Sequence, residues 1–514
     1  MKKSRLLILL GAVVAIAALL GVTLKERKKT MTDTLRVAFP YDKPARFYEP
    51  TRIHLAPEYI FLENTFSPLV ELSPEDASIQ KGVADKWEWK GDELRFHIRS
   101  DLKTIDGHPI TAEDAAFSLR RLLIRTENTH GNLKDLVCGG AEYKSMEDQC
   151  EGVRVEENDL VLKIRGKSAF ILPMLTGIDF AILPKRSVDP KTLDIVDYRN
   201  TTGPYYVSQD SESGKITLTM NPNHYHASIK IPQKLVLVPT DPKDKIASIE
   251  LFKKEAIDFI TTIDAARPEE VYALSRAMRG TTLHATANIR TFALFFTDRG
   301  MKELSLEERL FLGREVKAAL NQHFLSLPGY EDTHQFFPSH GDGAIDNAKA
   351  KSLAERPISV SALNKKIKLT IVRVGDLKTY KDPIEARLKS VEVSEGKTVP
   401  AFEKYESPNE MPHAFIGGPD TGFNEDISLI SYSLTAGIFG LSPKERQAWL
   451  ADYMGLQDKN DRLAKLKSIH EMALKDGLFV PLFSSPYTAI AQGGWEIRLS
   501  KLLANNQLWL VKAK

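Results

Sequence analysis

Between Leu94 and Leu123 the apolar residues change their spacing once, and that change dictates a strand, a turn and a helix in that order. Leu94, Phe96 and Ile98 alternate with Arg95, His97 and Arg99, which gives one apolar face at the two-residue period of a strand. Asp106-Gly107 marks a turn, since Gly accepts positive φ and Asp bonds its own backbone. After Pro109-Ile110, Thr111 is the expected N-cap of a helix, with Asp114 three residues on to return the bond. Ala116, Leu119 and Leu123 form the apolar stripe of that helix. The unit is architecture and carries no chemistry of its own.

The order and spacing of this string resemble the signature of the bacterial extracellular solute-binding proteins of family 5, the oligopeptide- and dipeptide-binding components of ABC importers. In that family a strand ending in a Leu-Arg-type pair precedes Asp-Gly-x-Pro, Thr-Ala-x-Asp and a Phe-Ser-Leu-x-Arg helix. The corresponding residues are Ile98-Arg99, Asp106-Gly107-His108-Pro109, Thr111-Ala112-Glu113-Asp114 and Phe117-Ser118-Leu119-Arg120-Arg121. Lys103-Thr104-Ile105 departs from the pattern, which usually has an aromatic there. Thr202-Gly203-Pro204-Tyr205-Tyr206-Val207, and the hairpin from it to Asn221-Pro222-Asn223-His224-Tyr225, are also similar to the family.

The resemblance runs from Leu35 to the end of the chain. It implies an α/β, two-lobed periplasmic-binding-protein-like fold of the large cluster C type, with an extra subdomain and a ligand cleft between the lobes. The implied division is an N-terminal signal or anchor at 1–32 and a discontinuous lobe I from 33–72, 181–285 and 479–514. Residues 73–180 form the additional subdomain and 286–478 the second ligand-binding lobe. From spacing alone, Ser305 to Phe324 is a capped helix, Pro383 starts another, and Val480–Phe483 with Tyr487–Ala491 form a terminal strand pair.

A chain of 514 residues with 42% hydrophobic content has material for about three domains. A net charge of +2 gives no reason to expect nucleic-acid binding. Lys2, Lys3 and Arg5 precede an apolar run from Leu6 to Val22 that Thr23 and Leu24 extend. Such a run is near the lower limit for a membrane span and also describes a secretory signal. Ala15-Ile16-Ala17 resembles a cleavage site, whereas Lys25, Arg27, Lys28 and Lys29 follow directly and favour retention. Both fates remain open; retention would anchor the protein to the inner membrane by residues 6–24. The resemblance places the folded part in the periplasm or otherwise outside the cytoplasm, as a monomer.

Cys138 and Cys150 are the two cysteines. In an oxidising compartment a disulfide between them would close a short loop and contribute roughly 3 kcal/mol in the chain-entropy model. Two free thiols are the alternative. No further Cys or nearby His completes a metal set.

No HExxH, G-x-S-x-G or Walker A motif occurs, so no catalytic residue, cofactor or metal is expected and the chain reads as a non-enzyme. His224 and His226 flank Tyr225 beside a turn and read as surface residues, with metal binding as the alternative. In Gly417-Gly418-Pro419-Asp420 the resemblance implies a strand edge that meets a peptide backbone, with Asp420 holding the peptide's α-ammonium group. A carboxylate suits an ammonium group removed from water, and a strand edge suits an extended ligand; an ordinary turn Asp is the competing reading. The resemblance places Tyr41, Phe66 and Phe295 near the cleft, where core packing is the alternative for each. The expected function is capture of a peptide-like ligand and its delivery to an ABC importer permease. The alternatives are a membrane-anchored sensor or chaperone of the same fold, and a binder of a metal chelate, haem or sugar.

Overall fold

The structure is a computed structural model that describes residues 33–514, except 54–56, 126–132, 139–142, 166–170, 242–244, 263–265, 373–376, 397, 420–433 and 435–439. Two large mixed sheets dominate it. The first has seven strands in the order Thr282–Ala285, Thr488–Ala491, Phe259–Thr261, Thr34–Phe39, Lys234–Pro239, Ile216–Met220 and Tyr205–Asp210. Thr34–Phe39 lies at its centre, parallel to both neighbours. Leu35, Val37, Ala38 and Phe39 are buried, as a strand covered on both faces requires.

The second sheet has six strands, Glu331–Asp332, Phe479–Ser485, Arg290–Phe296, Ala414–Gly417, Ile367–Val372 and Val391–Gly396 in that order. Leu294, Phe296, Leu369, Ile416 and Leu482 pack on one face with Leu312, Val316 and Leu320 of the helix Leu306–Phe324. Gly313, which interrupts that helix's apolar stripe, is where the helix meets the sheet most closely: a Cβ there would lie 2.3 Å from Val480.

The chain passes between these sheets through 286–289 and 486–487. The lobe boundary expected at Phe479 is therefore displaced, and the expected terminal strand pair is divided. Phe479–Ser485 pairs with Arg290–Phe296 in the second sheet, whereas Thr488–Ala491 pairs in the first. The reason is local. Phe479, Leu482 and Phe483 are buried in the second lobe, and Pro486, which has no N–H to continue a ladder, falls where the chain leaves it. Pro383 also differs from expectation: it lies inside the helix Leu377–Arg387 instead of at its start.

A four-stranded antiparallel sheet, Ala84–Lys90, Glu93–Ile98, Asp159–Lys163 and Val153–Glu156, forms the additional subdomain together with the helix Ala112–Arg125. The expected capping box is present: Thr111 N–H donates to Asp114 Oδ2 at 2.9 Å and Asp114 N–H to Thr111 Oγ1 at 3.3 Å. The polar residues of the signature then tie this helix to distant chain. Asp114 Oδ1 accepts from Lys185 N–H at 2.8 Å, and Ser118 Oγ accepts from Leu183 N–H at 2.8 Å. Arg121 donates to both carboxylate oxygens of Glu49, at 3.0 and 2.6 Å, and through Nε to Leu193 O at 2.7 Å. At the departure from the family pattern, Asn221 and Asn223 donate to the backbone carbonyls of Lys103 and Thr104, contacts that do not depend on the side chains there.

Candidate functional site

Strand direction identifies the face on which the lobes meet. Ala285 leads into one connecting segment, and Thr488 receives the other. Thr488–Ala491 runs antiparallel to Phe259–Thr261, which is parallel to Thr34–Phe39 and, through it, aligned with Lys234–Pro239. The carboxyl ends at Phe39, Pro239 and Thr261 therefore point toward the second lobe. In that lobe the connections attach at Arg290 and Ser485, and Ala414–Gly417 runs antiparallel to Arg290–Phe296. Its carboxyl end, with those of the parallel strands Ile367–Val372 and Val391–Gly396, points back toward the first lobe. Two sets of carboxyl strand ends thus face one another across a two-segment hinge, the position at which open α/β sheets place ligands.

On the second lobe, Ala414–Gly417 is buried along its length. Gly417 pairs with Ala293. Gly418 lies against the ring of Phe292, where an added Cβ would come within 2.8 Å of ring carbon, so any larger residue here requires that ring to move. The strand is anchored just upstream by His413. Its Nδ1 accepts from Lys368 N–H at 3.0 Å, which leaves the proton on Nε2 to bond Glu303 Oε2 at 3.1 Å. Burial lowers the pKa of this imidazole. Asp420 lies outside the described residues.

On the first lobe, the chain after Phe39 turns at once, with Tyr41 N–H donating to Phe39 O at 2.7 Å. Tyr41 is half-buried, 5.8 Å from the Phe39 ring and 6.1 Å from that of Tyr48. Ala45 N–H bonds Asp210 Oδ2 at 3.0 Å, and Arg46 pairs with Glu212 through two bonds of 2.7 Å. That fixed loop presents Phe47, 57% exposed, at the edge of the sheet away from the hinge.

The other two expected cleft aromatics belong to the core. Phe66 is 1% exposed and packs beside Tyr198 and the first-lobe cluster. Phe295 is 1% exposed, stacked 5.1 Å from Phe415 and edge-on to Phe336 and Phe479. Both lie on layers that secondary structure covers, so neither ring has surface to offer. His470 holds that wall from the helix Lys459–Lys475. Its Nε2 accepts from Phe336 N–H at 3.1 Å and its Nδ1 bonds Gly343 O at 3.0 Å. Burial pushes its pKa down to about 4.

Spacing gave no sign of the direct contact between lobes. Tyr330 Oη, just beyond the helix Leu306–Phe324, donates to Glu269 Oε2 at 3.0 Å. Glu269 lies in the first turn of the first-lobe helix Pro268–Ala277, and Arg267 Nε reaches its other oxygen at 3.3 Å. Gly329, at φ +87°, brings the chain against Tyr272 and Pro486. A pairing of Tyr with Glu 61 residues apart in sequence has no periodic signature that would reveal it.

Cys138 and Cys150 are joined by a disulfide in the subdomain, Cα atoms 4.4 Å apart. His224 is buried, with Nε2 3.2 Å from Ser67 Oγ, and desolvation lowers its pKa. His226 Nε2 meets Glu71 Oε2 at 2.9 Å, and Tyr225 Oη donates to the same carboxylate. Both histidines were expected at the surface; His224 is instead fully engaged inside. Among the described residues no group of three or more His, Cys, Asp or Glu side chains is placed to hold a metal ion.

The model of the bacterial extracellular solute-binding proteins, family 5 Middle, matches residues 78–322. The periplasmic oligopeptide-binding protein OppA of Escherichia coli (strain K12) is 19% identical over 506 residues, spanning 90% of this chain and 88% of that protein. The solved structure of the Escherichia coli murein tripeptide binding protein MppA superposes with a TM-score of 0.70 at 16% identity, covering 94% of this chain and 98% of that one. NikA from Staphylococcus aureus in complex with Ni(L-His)2 gives a TM-score of 0.67 at 12% identity, covering 94% of this chain and 100% of that one. The fold of these proteins is shared along almost the whole chain.

Proposed function

Since the chain belongs to the bacterial extracellular solute-binding proteins of family 5, we propose that it captures a peptide-like ligand between its lobes, outside the cytoplasm, and delivers it to an ABC importer. The observation that carries this reading is the opposition of strand ends across the hinge, with Gly417-Gly418 bare of side chains on one side. Backbone free of side chains accepts an extended ligand through main-chain bonds, which suits ligands that share a backbone and differ in side chains. Hinge closure would exclude water and strengthen each polar contact inside. Asp420, next in sequence after Pro419, is the carboxylate we assign to the ligand's α-ammonium group.

The role requires binding and release with no bond made or broken. The likeness to NikA in complex with a nickel–histidine chelate supports a second reading, a non-peptide solute in the same cleft. Mass spectrometry of small molecules released from the natively purified chain separates the two. A heterogeneous set of short peptides, with Asp420→Ala weakening their binding by about tenfold or more, is the expected result. A single metal chelate would overturn the peptide reading.

A further inference from the structure

The end of the first lobe away from the cleft collects unpaired cations. Thr34 and Lys234 pair at that end, and Phe259, Ala491 and Thr282, level with Val37, are the ends of the shorter neighbouring strands on the same side. The loops there expose Lys230, Lys234, Lys254 and Arg279, none of which makes an ion pair among the described residues. Of the carboxylates on the same loops, Glu250 and Glu496 are taken by Lys253 and Arg498, each at 2.9 Å, which leaves Asp33 and Glu255. Ile229, between Ser228 and Lys230, is 94% exposed, the most exposed of the large apolar side chains described. Beside it a cavity of ≈ 400 Å³ is lined by Lys81, Ser228, Trp509, Lys512, His226 and Glu71. The carboxylate in its wall is already engaged by Tyr225 and His226, and the His226 ring stacks on Trp509 at 5.2 Å.

The described chain starts at this same end, at Asp33. The sequence before it is Lys25-Glu26-Arg27-Lys28-Lys29-Thr30-Met31-Thr32, preceded by the apolar run. Eight residues reach about 28 Å at most, so an apolar run retained in a bilayer holds the first lobe close to the lipid surface. So tethered, a basic surface that comes within about a Debye length of an anionic leaflet, roughly 8 Å at physiological salt, is drawn to it.

We propose that this end of the first lobe is a membrane-docking surface that takes anionic phospholipid headgroups, with Lys230, Lys234 and Lys512 supplying charge and Ile229 entering the interface. The cleft then faces away from the docked surface, free to open. The proposal rests on the anchor remaining attached, and the experiment separates the two. The full chain carrying Ile229→Cys with a fluorophore is reconstituted into nanodiscs whose lipids bear nitroxide headgroups; the native cysteines are bonded to each other. Quenching at position 229 is expected to be about threefold stronger with phosphatidylglycerol than with phosphatidylcholine alone, and to disappear near 1 M salt. Combined Lys230→Glu, Lys234→Glu and Lys512→Glu substitutions should abolish the lipid dependence, and a probe at Phe47→Cys should stay unquenched throughout. A chain retained in the discs but unquenched at 229, or quenched equally in neutral lipid, overturns the docking surface and leaves the anchor intact. A chain that does not stay in the discs overturns both.

Discussion

The helix Ala112–Arg125 and the strand Ala414–Gly417 do opposite things with their side chains. On the helix, Asp114, Ser118 and Arg121 each bond a partner far away in sequence, and those of Ser118 and Arg121 are buried. At the strand's end the chain reaches the inter-lobe face through two glycines with nothing to aim. Side-chain specificity holds the lobe together, and on the function proposed above the surface offered to a ligand is main chain. The difference predicts that damage to the helix lowers stability and leaves binding per folded molecule intact, and that damage at the strand end does the reverse.

The largest effect is expected at Arg121. Arg121→Ala leaves the Glu49 carboxylate, 4% exposed, without its cation and with only Thr51 still donating to it, and leaves Leu193 O without its donor. Removing one partner of a buried pair costs about 3–5 kcal/mol. Chemical denaturation should show this loss, and calorimetric titration of the remaining folded protein should show ligand affinity unchanged. Replacing the pair together, Glu49→Leu with Arg121→Met, should restore most of the stability, because no charge is then left unpaired. A fall in affinity as large as the fall in stability would break the comparison.

The next effect lies on the wall behind the strand. The His470 ring is neutral and accepts Phe336 N–H, with a folded pKa of about 4 against an ordinary 6.5. A group whose folded pKa is depressed by burial contributes fully above its unfolded pKa, and that contribution is lost as pH falls. Stability should therefore decline from about pH 6.5 toward pH 4, by about 3 kcal/mol for this residue. Urea midpoints measured at pH 7.5 and 5 should differ less in His470→Gln than in the parent. The other buried histidines, such as His224 and His284, are shifted the same way, so it is the difference between the two proteins that isolates His470.

Gly418 tests the other half of the comparison. Gly418→Val sets a branched side chain into the Phe292 ring, 2.8 Å from where its Cβ would stand. Overpacking of this kind costs about 1–3 kcal/mol, here at the mouth of the site and away from the centre of either core. Ligand affinity should fall by about tenfold with the melting temperature lowered by a few degrees. Unchanged affinity would remove this backbone from the cleft.

How far the sequence revealed each region follows from the same contrast. The signature was legible because a helix pinned at several points needs particular side chains at fixed spacing, and Thr111, Asp114, Ser118 and Arg121 keep that spacing. The capping box at Ser305 was legible for the same reason. The partners were not: nothing local tells Arg121 that Glu49 awaits it 72 residues away. Phe66 and Phe295 were placed near the cleft by the family resemblance, but alternation sends Phe295 to a covered face of its sheet. The division of Phe479–Ser485 from Thr488–Ala491 was hidden because two apolar strands separated by a proline read alike whether they pair or part.

The smallest effect falls on Tyr330, a side chain that reaches from the second lobe to the first. Tyr330→Phe removes the bond to Glu269 and little else, since Arg267 still holds that carboxylate at 3.3 Å. A phenol–carboxylate bond with a remaining partner contributes about 1 kcal/mol, and that bond exists only while the lobes are together at this point. Its loss should therefore act on the closed state alone. Ligand dissociation should speed up about fivefold, association should stay the same, and denaturant stability of the ligand-free protein should change by less than about 0.5 kcal/mol. Stopped-flow traces from Tyr330→Phe and Glu269→Gln should agree, because each substitution weakens the same bond from one side. If Tyr330→Phe slows association while dissociation holds, the contact forms before the ligand arrives, and the hinge is set by the protein alone.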